Sequence, residues 1–121
     1  MSDCNVCLSS FDGDSEFCKA KMRTASKTHN CCECGVEIPQ GTEYEYASGK
    51  SDGDFWTAKT CLVCAEIADT FYCEGRTYGG CLWDELREIA FPEFTSGCVN
   101  RLKTAAAKSK LMDEYREWKL G

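Results

Sequence analysis

Residues 31–35 read Cys-Cys-Glu-Cys-Gly and residues 61–64 read Cys-Leu-Val-Cys. Two cysteines separated by two residues can turn both thiolates onto one ion, and two such pairs complete a tetrahedral four-sulfur shell. Cys31, Cys34, Cys61 and Cys64 are therefore the expected ligands of one zinc ion. Such a shell leaves no position for water or substrate, so the expected role of the metal is to hold the chain together. Gly35 follows the first pair, where a turn around a metal needs positive φ and room for backbone N–H groups to face sulfur. Cys64 runs instead into a helical pattern. The second pair is thus expected at a helix start, where the dipole favours thiolate.

Other residues of the same chemistry lie nearby in sequence. Cys32 is a spare thiol in the knot or a competitor of Cys31, and its spacing to Gly35 favours Cys31. His29 is the only histidine and reads as a surface residue or one packed behind the ligands. Cys4 and Cys7 repeat the two-residue spacing, with Cys18, Cys73, Cys81 and Cys98 unassigned. A second zinc would take Cys4 and Cys7 with two of these, Cys73 and Cys81 converging across the Gly75–Gly80 turn or Cys18 joining from the N-terminal side. The alternative is that these are small buried apolar residues, as reduced cysteines often are.

Catalysis needs more than the sequence supplies. A zinc hydrolase keeps an open ligand position beside a base, and a nucleophilic triad needs a histidine near Ser or Cys. His29 precedes the knuckle and no second histidine assists it. Tyr78-Gly79-Gly80 is too short for a phosphate loop and lacks a following lysine. The expectation is a protein that is not an enzyme and has no small-molecule substrate.

The elements that must position the cysteines follow from periodicity. Glu43-Tyr44-Glu45-Tyr46 alternates, and Asp54-Phe55-Trp56-Thr57 is β-favouring; Gly49 to Gly53 is expected to join them as a hairpin turn. Cys64, Ile67, Ala68, Phe71 and Tyr72 fall at helical spacing, with Gly75 as a stop. A second helix would bury Leu82, Leu86, Ile89 and Ala90 and end before Pro92. A third, capped by Thr95 or Ser96, would run to about Lys119 with Leu102, Ala105, Ala106, Ser109 and Met112 along one stripe, giving roughly 35 Å of helix. The fold class is a small zinc-stabilised α+β domain. Residues 1–30 are expected to be irregular, residues 31–91 to form the zinc domain with two helices, and residues 92–121 to pack on it as the C-terminal helix.

The order CCECG, hairpin, CLVC, helix resembles the treble-clef class of zinc fingers. The wider stretch HNCCECGVEIPQGTEYEYASGKSDGDFWTAKTCLVC is similar to a group of small zinc-binding proteins encoded by bacterial phages and prophages. The resemblance covers about residues 27–86 and implies a fold and a setting, since most members of that group have no established activity. A rubredoxin-like iron site would want a glycine-bearing knuckle at both pairs, from which Cys64-Ala65-Glu66 departs. A thioredoxin-like redox pair at Cys61 and Cys64 would need alternating β and α units that the pattern lacks.

Composition limits the partners. The chain has 121 residues, 11 cysteines, 14 basic and 20 acidic residues, for a net charge of −6. That much cysteine stabilises a domain whose apolar core alone would be marginal. The N-terminus has neither a basic n-region nor an apolar h-region, and no apolar run approaches the roughly 18 residues of a membrane span. The expectation is a cytoplasmic protein with reduced thiols and no membrane partner, and the resemblance implies that the cell is a bacterial host. Residues 19–29 carry four cations and no acid, whereas residues 33–74 are acidic. The favoured partner is a host protein whose basic surface, for example in a defence system, receives the acidic middle. The alternative is a nucleic-acid-binding regulator using the basic segments 19–29 and 101–119.

Overall fold

The computed structural model describes residues 4, 8, 15–51, 53–72 and 82–121, with the side chains of 15–18 and 51 left aside. The protein is a small mixed α+β structure. Three antiparallel strands, β1 (Ser15–Thr24), β4 (Glu43–Ser51) and β5 (Asp54–Cys61), form a sheet in the order β1-β4-β5. Two short strands, β2 (His29–Asn30) and β3 (Glu37–Ile38), pair with each other and bracket the first cysteine pair. Helix α1 (Leu62–Phe71) follows β5 directly.

The hairpin expected from alternation is present, but its turn is tighter. Ser51 pairs with Asp54, so the strands continue through Gly49 and Lys50, and Gly53 takes the positive φ of +85° that the reversal needs. Residues 1–30 are not irregular throughout. Ser15–Thr24 add an edge strand to β4, with register from Phe17↔Lys50 to Thr24↔Glu43 and a break between Ser15 and Phe17. Its alternation of Lys19, Lys21 and Arg23 with Ala20, Met22 and Thr24 is a strand pattern without a strongly apolar side, which is why hydrophobicity does not reveal it. Further upstream, Leu8 is fully buried and its N–H donates to the Phe71 carbonyl at 2.8 Å.

Helix α1 covers one side of the sheet. Ala47, Ala58 and Thr60 are buried there, and α1 lies against β4 and β5. Ile67, Ala68 and Phe71 of α1 enter the core at the predicted helical spacing, together with Leu8, Leu82, Leu86, Phe91 and Leu111. The helix stops at Tyr72, before the expected Gly75.

Beyond α1 the helical pattern departs from expectation twice. Helix α2 (Leu82–Glu85) widens into a π-turn over Leu86–Ala90 and closes in a 3₁₀ turn over Phe91–Glu93 that contains Pro92. The extra residue per turn rotates the face, so Leu86 and Ala90 are buried while Ile89 is 42% exposed and does not join the core. The single long third helix is instead two helices, α3 (Ser96–Asn100) and α4 (Ala105–Leu120), broken at residues 101–104. Restarting the helix resets its phase. The buried stripe becomes Ala107 and Leu111 with Tyr115 packed against it, and Ala105 and Ala106 are exposed.

A carboxylate from α1 makes that restart. Glu66 accepts from the backbone N–H groups of Lys103 (2.6 Å) and Thr104 (3.0 Å) and from the Thr104 hydroxyl (2.7 Å). The same hydroxyl caps α4 by accepting from the Ala107 N–H. Burial works to raise the Glu66 pKa, but these hydrogen bonds from Thr104 and Lys103 outweigh it and hold the carboxyl below its usual range. Near the other end of α4, Phe91 meets Tyr115 and Phe94 edge-on and Trp118 at a tilt, so these aromatics tie the C-terminal helix to the 3₁₀ turn. Trp83 is buried as well.

Candidate metal centre

The knuckle is built by backbone hydrogen bonds that close around the first pair. The Cys31 N–H donates to the Val36 carbonyl (2.8 Å) and the Gly35 N–H to the Cys31 carbonyl (2.9 Å). Gly35 adopts φ +79°, a conformation that a side chain at this position would strain. The Asn30 side-chain amide donates to the Gly35 carbonyl. The whole loop is docked onto the sheet by the Cys32 N–H, which donates to the Lys59 carbonyl of β5 (2.8 Å). Two residues later that strand ends at Cys61.

Cys61 closes β5 and caps α1, its sulfur accepting from the Cys64 N–H (3.5 Å). Helix α1 therefore begins where the second pair stands, as its helical pattern and lack of a glycine implied. The four sulfurs of Cys31, Cys34, Cys61 and Cys64 lie within 4.8 Å of one another. A tetrahedral ion with sulfur bonds of about 2.3 Å separates its ligands by ~3.8 Å, and the Cys34 and Cys61 sulfurs are 3.9 Å apart. Cys31 and Cys64 are buried, and Cys34 and Cys61 are half-buried.

The electrostatics of this cluster favour a cation. The Cys31 sulfur accepts from the N–H groups of Glu33 (3.4 Å) and Cys61 (3.3 Å). Hydrogen bonds from the Cys61 thiol and then the Cys64 thiol, against the opposing effect of burial, hold the Cys31 pKa well below its usual value, and the backbone N–H groups of Cys34 and Cys61 add to this. The cost falls on the partners. Cys61 is pushed up to about 12, mainly because its thiol proton is held by Cys31, and Cys64 is raised for the same reason. One thiolate thus forms by suppressing its neighbours. All four ionise together only when a positive ion sits between them.

A residue far away in sequence completes the surroundings. Lys110 of α4 bonds Glu114 at 3.1 Å. Burial works against its charge, but the hydrogen bond and charge of Glu114 hold the ammonium above its usual range. Lys110 lines an apolar cavity of ≈ 330 Å³ together with Cys34, Cys61, Val36, Ile38 and Val63. The sequence placed Lys110 in a basic tail, and no local signal ties it to the cysteines. Glu33 joins the knuckle to the helices by accepting from the Leu82 N–H at 3.1 Å.

The remaining candidates are elsewhere. His29 lies on β2 with its ring 5.6 Å from Tyr44, outside the four-sulfur group; desolvation, then Lys59 and Lys27, lower its pKa. The Cys32 sulfur faces the Thr60 hydroxyl at 3.5 Å. Cys4 is joined to Cys98 in a disulfide, which corrects its expected role as a ligand of a second zinc, because a disulfide sulfur is not a thiolate donor. The same bond corrects the expectation of uniformly reduced thiols. Cys7, Cys73 and Cys81, and the side chain of Cys18, lie outside the described residues. Among the described residues, no helix is long and apolar enough to cross a membrane.

Compared with known proteins, the chain matches no family model, no curated protein and no solved structure.

Proposed function

We propose that this is a non-catalytic binding module whose Cys31, Cys34, Cys61 and Cys64 hold one structural zinc ion in a treble-clef arrangement. The observation that carries the reading is the convergence of four sulfurs within 4.8 Å at the junction of knuckle, strand and helix start. Four soft thiolates at tetrahedral spacing suit zinc, and a four-sulfur shell has no vacant position at which to activate water. The metal would fasten β2 and β3 to β5 and α1. The resemblance to phage and prophage zinc proteins gives the setting, an accessory protein made inside a bacterial host.

The choice between a host protein and a nucleic acid as partner turns on how the charges are used. Several acids of the middle segment have internal work: Glu33 binds the Leu82 N–H, Glu66 caps α4 and Glu45 is buried. That leaves a weaker acidic docking surface than the composition of residues 33–74 suggests, and it lowers the support for a basic host protein as partner.

Elemental analysis and native mass spectrometry of purified protein test the metal reading. One zinc per chain at this centre, released as all four cysteines become reactive to a thiol reagent, is the expected result. Protein that retains full structure and thermal stability without any bound metal would overturn it.

A further inference from the structure

Strand register sorts the charges of the sheet by side. Side chains alternate along a strand, and directly paired residues share a face. Lys21 pairs with Tyr46 and Tyr46 with Lys59; Lys19 pairs with Ser48 and Ser48 with Thr57; Lys50 pairs with Phe55. Arg23, two residues beyond Lys21, is on the same face. All five cations in these ladders, Lys19, Lys21, Arg23, Lys50 and Lys59, thus stand on one side of the sheet. The acids Glu43, Glu45 and Asp54 stand on the other, with the residues that face α1.

Aromatic rings lie among the cations. The Arg23 guanidinium is 4.1 Å from the centre of the Tyr46 ring, and the Lys59 ammonium is 6.0 Å from the same ring. Lys50 is 5.5 Å from the ring of Phe55, which is itself 74% exposed. Lys19, Lys21, Arg23 and Thr57 are exposed, and Tyr46 is half-buried. A hydrophobic residue as exposed as Phe55, set beside Lys50 on a cationic face, has a natural complement in a flat ring attached to an anion.

We propose that this face of the sheet binds single-stranded nucleic acid, with phosphates along Lys19, Lys21, Arg23, Lys50 and Lys59 and bases against Phe55 and Tyr46. Cations that track a backbone, interleaved with rings on which unpaired bases stack, are what sequence-tolerant single-strand recognition uses. A duplex keeps its bases stacked on one another and offers Phe55 nothing to meet. The chain carries a net charge of −6, so five cations gathered on one face mark a local reversal of the field that attracts a polyanion.

The site differs from the basic segments read from the sequence. Lys50 and Lys59 come from the acidic middle and join it through pairing. In the C-terminal segment, Arg101 donates to the Thr70 carbonyl and the Cys4 sulfur, and Lys110 to Glu114. Those two cations serve the fold.

The test is fluorescence anisotropy with a labelled oligo(dT) of roughly 12 nucleotides, within the span that one small binding platform covers, against a duplex of the same length. Zinc content and circular dichroism are recorded on every preparation, so a misfolded sample is separated from a folded one that does not bind. Single-stranded binding stronger than duplex binding is expected, with an affinity that falls steeply as salt rises, by a slope of about −0.7 per phosphate neutralised. Lys21→Glu with Lys59→Glu is expected to abolish it, and Phe55→Ala to weaken it about tenfold while leaving the fold intact. Absence of binding by folded protein at low salt, equal affinity for duplex, equal affinity for polyglutamate, or an unchanged affinity of Phe55→Ala would each overturn the proposal.

Discussion

Cys31 and Cys4 each begin a Cys-x-x-Cys motif, yet their surroundings differ. Cys31 sits among three other thiols, with two backbone N–H groups on its sulfur and Gly35 turning the chain around it. Cys4 is bonded to Cys98 beside the guanidinium of Arg101. The spacing brings two sulfurs within reach of one ion but does not supply the rest of the centre. What distinguishes the first region is that its loop has a hairpin to lean on and a helix start to face. Donor groups are therefore already aimed at the sulfurs.

The largest effect expected from breaking this contrast comes from Cys61→Ser. It removes a ligand and the sulfur that caps α1. Apparent zinc binding energies of about 10–16 kcal/mol match or exceed the ~5–15 kcal/mol stability of a typical domain. The variant should lose its zinc and its cooperative thermal transition, both visible by circular dichroism and metal analysis. A variant that melts within a few degrees of the parent would deny the centre its structural role.

A smaller effect is expected at the other region. Cys4→Ser opens a link between positions 94 residues apart, and should cost about 2–4 kcal/mol under oxidising conditions and little in reductant. Its zinc content should equal that of the parent. Loss of a zinc ion with Cys4→Ser would transfer Cys4 to the metal-binding class and erase the contrast between the two pairs.

The smallest effect concerns how the helices around the centre are held. Glu66→Gln weakens the interhelical cap on α4 and should cost about 1 kcal/mol, measured by urea denaturation. Because the folded-state pKa of Glu66 lies below its usual value, its contribution is whole above the unfolded pKa and is lost as pH falls through the folded one. Parent and Glu66→Gln stabilities should therefore converge in acid. A gap that persists below the folded pKa would assign the effect to packing.

Much of the centre could be read in the chain itself. Ligand spacing, the glycine after the first pair and the helical pattern after the second are local features, and local geometry enforces them. The hairpin was visible for the same reason, though its turn was placed too broadly because Gly49 resembles a turn residue as much as Gly53 does. The C-terminal helices were harder to read. A stripe over residues 102–112 presumes one unbroken helix, and the break that resets its phase depends on Glu66, a residue of another helix.

The sequence by itself determined which four cysteines are able to share an ion, because two-residue spacing and a glycine turn act within a few residues of chain. It also determined the alternation that puts Lys19, Lys21 and Arg23 on one side of a strand. Tertiary structure alone decided that this strand lies beside Tyr46 and Lys59, that α1 covers the opposite face, that Lys110 approaches the sulfurs and that Cys4 meets Cys98. Those outcomes depend on which distant segments pack together to bury apolar surface, and residue spacing along the chain carries no record of that choice.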